Sequence, residues 1–186
     1  VTMFLYEAGT TKLKYTFTHT INRFGNPDTL ILDPQFKYDL VVNTIPRVEL
    51  KNISIKRNIH NTINVDAGQG NIKVRFLDAT KPYQIDFRVM QSGKPQTLNV
   101  QKVNSTEKYL IGTYDIEILT TPRIYVTTNV EQSNTTNINI KAPGFLKYTS
   151  GNLITGQIFS QNDNGSWDWI ANFDPNTKSG NQQLQP

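Results

Sequence analysis

The chain contains no cysteine. Disulfide staples, thiolate metal centres and cysteine nucleophiles are therefore excluded, though the absence does not by itself place the chain in the cytosol. Histidine is almost as scarce. His19 and His60 are the only two, and two isolated imidazoles without a thiolate do not make a zinc site. Long apolar runs are missing too. No stretch approaches the roughly 20 residues needed to span a bilayer, so no membrane insertion is expected. Val1-Thr2-Met3-Phe4-Leu5 is too short, and lacks the charged start, to be a signal peptide. It reads as a strand, and any export signal would lie outside this stretch. Charge is thin at 18% of residues, against about 25% in an average protein. The net charge of +4 is scattered, with no basic run beyond Lys56-Arg57. Phosphate recognition needs a clustered basic face, so a nucleic-acid partner is not expected.

Catalytic signatures are missing as well. There is no Gly-x-Ser-x-Gly elbow, no Walker loop and no His-Glu-x-x-His pair. Asp66-Ala67-Gly68-Gln69-Gly70 is glycine-rich but lacks the Lys-Ser/Thr that phosphate binding requires. Asp174-Pro175-Asn176-Thr177-Lys178 opens like a calcium loop, but Lys178 stands where an oxygen ligand is needed and no glycine holds the sixth position. The reading is a non-enzyme without cofactor or metal.

Asn, Thr and Gln take the place of the missing charge. Threonine's branched Cβ suits a pleated surface, and asparagine suits turns. The chain also repeats itself. Gly25-Asn26-Pro27-Asp28-Thr29-Leu30 answers to Gly93-Lys94-Pro95-Gln96-Thr97-Leu98, and Tyr38-Asp39-Leu40 to Tyr114-Asp115-Ile116. Thr44-Ile45-Pro46-Arg47-Val48 answers to Thr120-Thr121-Pro122-Arg123-Ile124, and Asn64-Val65-Asp66-Ala67 to Asn139-Ile140-Lys141-Ala142. Same-order recurrence at a period of roughly 70–75 residues indicates a tandem module. The offset drifts from 68 (Pro27 to Pro95) to 76 (Pro46 to Pro122). That places a longer surface connection in the second copy, around Asn104-Ser105-Thr106-Glu107-Lys108. Residues 1–69 are read as module 1, residues 70–143 as module 2 and residues 144–186 as a truncated module 3. Leu184-Gln185-Pro186 resembles Leu32-Asp33-Pro34, which implies that the natural chain continues past Pro186. Short junctions, Gly68-Gln69-Gly70 and Pro143-Gly144, imply abutting modules.

Alternating stripes mark the strands. Tyr15/Phe17/His19/Ile21, Tyr38/Leu40/Val42, Val48/Leu50, Ile53/Ile55 and Ile63/Val65 lie in the first copy. Ile85/Phe87/Val89, Tyr114/Ile116/Ile118, Ile124/Val126 and Ile138/Ile140 lie in the second, and Trp167/Trp169/Ala171/Phe173 in the third. About six or seven short strands per module predict an all-β fold of tandem small β-sandwiches, transthyretin- or Ig-like. Gly25-Asn26-Pro27, Gly93-Lys94-Pro95 and Asn162-Asp163-Asn164-Gly165 read as hairpin connections.

Each conspicuous residue has an architectural reading. His19 aligns with Phe87 and belongs to a core edge, while His60 sits in a polar turn. The paired Asp39/Asp115 and Arg47/Arg123 are expected to serve the module through ion pairs or turn bonds. Four Asn-x-Ser/Thr matches, at Asn52, Asn104, Asn134 and Asn164, are close to the number that so Asn-rich a chain gives by chance. Trp167 and Trp169, two residues apart, share one face of a strand. They fill the core of module 3, as Leu98 and Val100 do in module 2, or, if exposed, form a platform that stacks on sugar rings.

Three stretches carry a family resemblance: Gly25 to Leu30, the Thr-x-Pro-Arg turn from Thr44 to Arg47, and Asn104-Ser105-Thr106-Glu107-Lys108-Tyr109-Leu110. In these the chain resembles the C-terminal repeat region of bacterial envelope proteins containing a von Willebrand factor A domain, with transthyretin- or PEGA-like modules. The resemblance implies an upstream A domain in the same chain, export to the cell envelope, and β modules that act as stalk or interaction surface. The A domain's Asp-x-Ser-x-Ser metal motif is absent here. The expected function is a non-catalytic, extracytoplasmic β-module array with a protein or glycan partner at the cell surface. The alternative is a carbohydrate-binding module using Trp167 and Trp169.

Overall fold

A computed structural model describes residues 1–18, 20–21, 23–27, 29–78 and 83–185. Among them there is no helix, and the fold is all-β and sandwich-type, built from several separate sheets. Among the described residues, fifteen strands follow one another. They are β1 Thr2–Glu7, β2 Leu13–Thr18, β3 Lys37–Val42, β4 Val48–Ser54, β5 Gln69–Phe76, β6 Asp86–Gln91, β7 Thr97–Lys102 and β8 Glu107–Leu110. These are followed by β9 Gly112–Ile118, β10 Ile124–Val130, β11 Thr135–Ile140, β12 Gly144–Thr149, β13 Gln157–Gln161, β14 Trp167–Asn172 and β15 Ser179–Leu184. The sheet orders are β2-β1-β3-β4, β10-β9-β6-β7, β11-β5-β8, β12-β15 and β13-β14. The chain divides into two compact units. One holds Val1–Asn71, Lys108–Gly112 and Val130–Thr135, and the other Ile72–Glu107, Thr113–Asn129 and Thr136–Pro186.

In the first unit, alternation on β1 and β3 turns Met3, Leu5, Tyr38, Leu40 and Val42 inward. Phe17, Leu50, Val65 and Ala67 pack against this cluster from the side. In the second, Phe87 and Val89 on β6 and Ile116 and Ile118 on β9 are buried to 1% exposure or less. Each such side chain contributes about 1.5–3 kcal/mol through removal of apolar surface from water.

The two four-stranded sheets match in detail. Met3 pairs with Val42, Leu5 with Leu40 and Glu7 with Tyr38. Phe87 pairs with Ile118, Val89 with Ile116 and Gln91 with Tyr114. A bulge follows Leu5 in the β1–β2 ladder, and another follows Val89 in the β6–β7 ladder. This register corrects the alignment read from the letters. Gly93 (φ 77°) turns the chain between β6 and β7, and its counterpart between β1 and β2 is Gly9 (φ 71°). Gly25 instead lies in the β2–β3 connection, in a turn closed by a single Ile21–Pro27 bridge. The eight extra residues therefore belong to the first sheet: Gly9 to Asp39 spans 30 positions, and Gly93 to Asp115 spans 22. The residue opposite Phe87 in this scheme is Met3, not His19. His19, Asp28 and Pro186 lie outside the described residues, and so does the role read for each.

Two further expectations change. Asn104 to Lys108, read as a surface loop, holds a tight turn at Asn104 (φ 72°) and the start of β8. Tyr109 on that strand is fully buried. Ile63/Val65 forms no strand: Ile63 is exposed, and Val65 packs on the first core from irregular backbone.

The duplicated aspartates hold turns, as expected of them. Asp39 accepts from Gly9 N at 2.9 Å and from Asn52 N at 2.8 Å. Asn52, at φ 59°, supplies the extra residue of a bulge in β4 between the Tyr38–Ile53 and Leu40–Leu50 pairs. Asp115 accepts from Gly93 N at 3.3 Å and from the Thr127 hydroxyl at 2.7 Å. The duplicated Thr-x-Pro turns also agree, since Thr44 donates to Pro46 O and Thr120 to Pro122 O, both at 2.7 Å.

Candidate functional site: an exposed aromatic face

β13 and β14 form a two-stranded ribbon joined by the predicted Asn162–Gly165 hairpin. Asn162 N donates to Ser166 O, and Gly165 N to Asn162 O, both at 2.8 Å. Gly165 takes φ 82°, a conformation that favours glycine. Asn164 Oδ1 accepts from the backbone and the hydroxyl of Ser166 at 2.9 and 2.7 Å. Asn162 Nδ2 donates to Asp168 Oδ2 at 3.0 Å. These bonds fix the ribbon's register, and the register decides which side chains share a face.

Trp167 stands opposite Gln161, and Trp169 opposite Phe159. Past a bulge at Ile170, Asn172 stands opposite Gln157. One face of the ribbon therefore carries two indoles, one phenyl ring and three amides. Trp167 is 61% exposed, Trp169 56% and Phe159 44%. The core-filling reading of the pair is thus overturned; of its parallel in the second module, Leu98 is half-buried and Val100 exposed. The physical reason lies on the other face. Ile158, Ile170 and Ala171 take the half-buried positions there, and Phe173 beyond β14 stacks on Tyr148 of β12 with ring centroids 4.2 Å apart. Two glycines make that stack possible. A Cβ at Gly156 would strike the Phe173 ring, and one at Gly180 the Tyr148 ring. Apolar packing is satisfied from behind, and the tryptophans are left facing water.

The indoles are nevertheless oriented. Trp169 Nε1 donates to Asn172 Oδ1 at 3.0 Å, and Gln157 Nε2 donates to the same oxygen at 3.3 Å. Trp167 and Trp169 stand about 6.6 Å apart along the strand. Flat apolar rings fringed by amide donors and acceptors can stack on the C–H face of a sugar while bonding its hydroxyls. Sequence reasoning found the two tryptophans but missed Phe159, Gln157 and Asn172. Counting back across the Asn162–Gly165 hairpin would have placed Phe159 opposite Trp169.

The other candidates take structural places. His60 is exposed, and among the described residues no cluster of three or more His, Asp or Glu side chains is arranged to hold a metal. Asp174 Oδ1 accepts from Asn176 N at 2.9 Å, which makes the calcium-like segment a closed turn. Arg123 belongs to a charged network on the β6–β9 sheet. Glu117, with its side chain 8% exposed, receives Arg88 Nη1 at 2.6 Å and Arg123 Nη1 at 2.5 Å. Thr97 Oγ1 accepts from Arg88 Nε and Nη2 at 2.9 and 2.7 Å. Burial pushes the Glu117 carboxyl up, but the Arg123 bond and the two guanidinium charges outweigh it and hold the group below its ordinary range. At the corresponding places the first sheet has Phe4 paired with Val41.

No family model matches the chain, and no curated protein matches it. Two solved structures are similar at low level. One is GBS52, the minor pilin of Streptococcus agalactiae, with 12% identity, 75% of this chain and 81% of that one covered, and a TM-score of 0.31. The other is the Bacillus anthracis TIE protein, with 13% identity, 99% of this chain covered and a TM-score of 0.31. The chain spans 44% of that second protein. Among the described residues no helix is long and apolar enough to cross a membrane.

Proposed function

We propose that the chain is a non-catalytic β-module array of the cell envelope, in which the four-stranded sheets serve as a stalk and the β13–β14 ribbon as a glycan-contacting surface. One observation carries the binding role: both tryptophans of the chain face solvent on the same side of one ribbon. Side-chain burial is the main return on a large aromatic, so an exposed and oriented pair indicates contact with a partner. The matching register of the two four-stranded sheets supports a tandem repeat, and module boundaries near residues 69 and 143 are part of the proposal. The extracytoplasmic setting and an upstream von Willebrand A domain rest on the motif resemblance, and the residues preceding Val1 in the natural protein test them directly.

The binding role is tested by titrating the chain with a panel of polysaccharides and following tryptophan fluorescence. Binding with a spectral shift is expected, with Trp167→Ala and Trp169→Ala each weakening it about tenfold, in line with ~1–3 kcal/mol per stacked ring. Unchanged affinity in both variants, with folding intact by circular dichroism, would overturn the role.

A further inference from the structure

The surroundings of the aromatic face carry a narrower conclusion, which rests on the glycan reading. Beside the ribbon runs a groove of about 670 Å³, lined by Gly156, Gln157, Phe159, Asn172, Phe173 and Pro175 among others. Its size lies in the range of small-molecule sites. Three of these residues, Gln157, Phe159 and Asn172, also belong to the tryptophan face, so groove and face are one continuous surface. The floor is preset. Gly156 lets the Phe173 ring lie against the backbone, and Phe173 N donates to Gly156 O at 2.8 Å.

The chemistry of this surface is uniform in one respect. Gln157, Phe159, Gln161, Trp167, Trp169 and Asn172 on the face carry no ionisable group, and neither does any residue lining the groove. The nearby carboxylates are engaged in turns, Asp168 with Asn162 and Asp174 with Asn176. Among the residues of this face and groove there is no Lys or Arg to meet a sulfate, phosphate or uronate, as an anionic ligand would require. We infer that the site takes an uncharged glycan chain several sugars long, stacked on Trp167 and Trp169 and continuing over Phe159 into the groove floored by Phe173.

The test is calorimetric titration of the intact chain with neutral gluco-oligosaccharides from disaccharide to hexasaccharide, alongside uronate-containing and sulfated oligosaccharides, at low and high salt. Affinity is expected to rise with length and stay constant with salt. Trp169→Ala should weaken every length. The groove double variant Thr155→Ala/Pro175→Ala changes exposed groove positions outside the tryptophan face, and should weaken the hexasaccharide about tenfold while sparing the disaccharide, the loss of one set of contacts. Binding confined to acidic oligosaccharides and falling with salt would overturn the neutral ligand and leave a glycan role standing. Length-independent affinity, or an unaffected groove variant, would overturn the extended site alone. No binding to any glycan would remove both.

Discussion

The charged network of the second four-stranded sheet offers a sharp test of how this fold uses its outward faces. Glu117→Val removes the carboxylate from between Arg88 and Arg123. Breaking a fully buried ion pair from one side costs about 3–5 kcal/mol, because the orphaned charge stays buried. Here the side chain of Arg88 is 35% exposed and that of Arg123 51%. Both guanidinium groups can recover water, and Arg88 keeps Thr97. The expected cost therefore falls to about 2–3 kcal/mol. At about 2–4 °C per kcal/mol for a chain of this size, the melting midpoint should drop by roughly 4–12 °C. The paired substitution Arg88→Phe/Glu117→Val copies the Phe4–Val41 pair that the first sheet carries in the same register. It removes the buried carboxylate together with its partly exposed partner, and removing a pair together is often neutral. The double variant should therefore recover more than half of the single variant's loss. Urea unfolding of the wild type, both single variants and the double variant closes the cycle. A loss below about 0.5 kcal/mol for Glu117→Val would mean the network acts as a surface pair. A double variant as damaged as the sum of its singles would refute the idea that the two sheets are interchangeable at this position.

Acid should weaken the fold. The carboxyls of Glu117, Asp39 and Asp115 are each held below the usual carboxylate range; Asp39 is lowered chiefly by the Gly9 and Asn52 amides, and Asp115 by the Thr127 hydroxyl. The folded chain therefore binds fewer protons than the unfolded one in that range. Its stability is complete above the unfolded values and is lost as pH falls through the folded ones. Melting midpoints followed from about pH 6 down to about pH 2 should show that decline, and Asp39→Asn should shallow it; a flat profile in the wild type would contradict the assignment. Gly70→Ala should cost about 1–3 kcal/mol in urea unfolding, since the added Cβ would meet the Glu131 carbonyl oxygen and a Val130 methyl. Gly144→Ala, with open space around it, is the control and should stay within about 0.5 kcal/mol of wild type.

What the sequence discloses here follows the range of the forces involved. The stripes Tyr38/Leu40/Val42 and Tyr114/Ile116/Ile118 announce buried strands because a strand alternates its faces locally. The Asn162–Gly165 hairpin is equally local. The β8 strand is hidden because only Tyr109 among its four residues is buried, too little for an alternation to show. The mistaken match of Gly25 to Gly93 has a physical cause. Gly9, Gly25 and Gly93 all adopt positive φ, so turn letters recur wherever the chain reverses. Only ladder pairing, a non-local property, tells one reversal from another. The tryptophans were misjudged for a related reason. Their burial depends on which face of the ribbon the Ile158–Ile170–Phe173 side claims, and the bulge at Ile170 is not written in the residues of β14 alone.

The comparison of the two sheets bears on where binding can reside. Their inward positions are filled alike, Met3 with Phe87, Leu5 with Val89, Leu40 with Ile116 and Val42 with Ile118. Their outward positions diverge freely, Phe4–Val41 against Arg88–Glu117; Phe4, Val41 and Arg88 are half-buried and Glu117 buried, with Arg88 and Glu117 paired. The sheets thus account for their own conspicuous residues, the duplicated aspartates included. The β13–β14 ribbon does not. Its inward face is already served by Ile158, Ala171 and Phe173, so exposing two indoles adds nothing to its packing. The ribbon gives up the burial of both tryptophans in the chain, yet anchors one of them through Asn172, and this is the observation from which the proposed contact is argued. Among the surfaces described, this uncharged aromatic face is therefore the one on which the proposed partner contact rests.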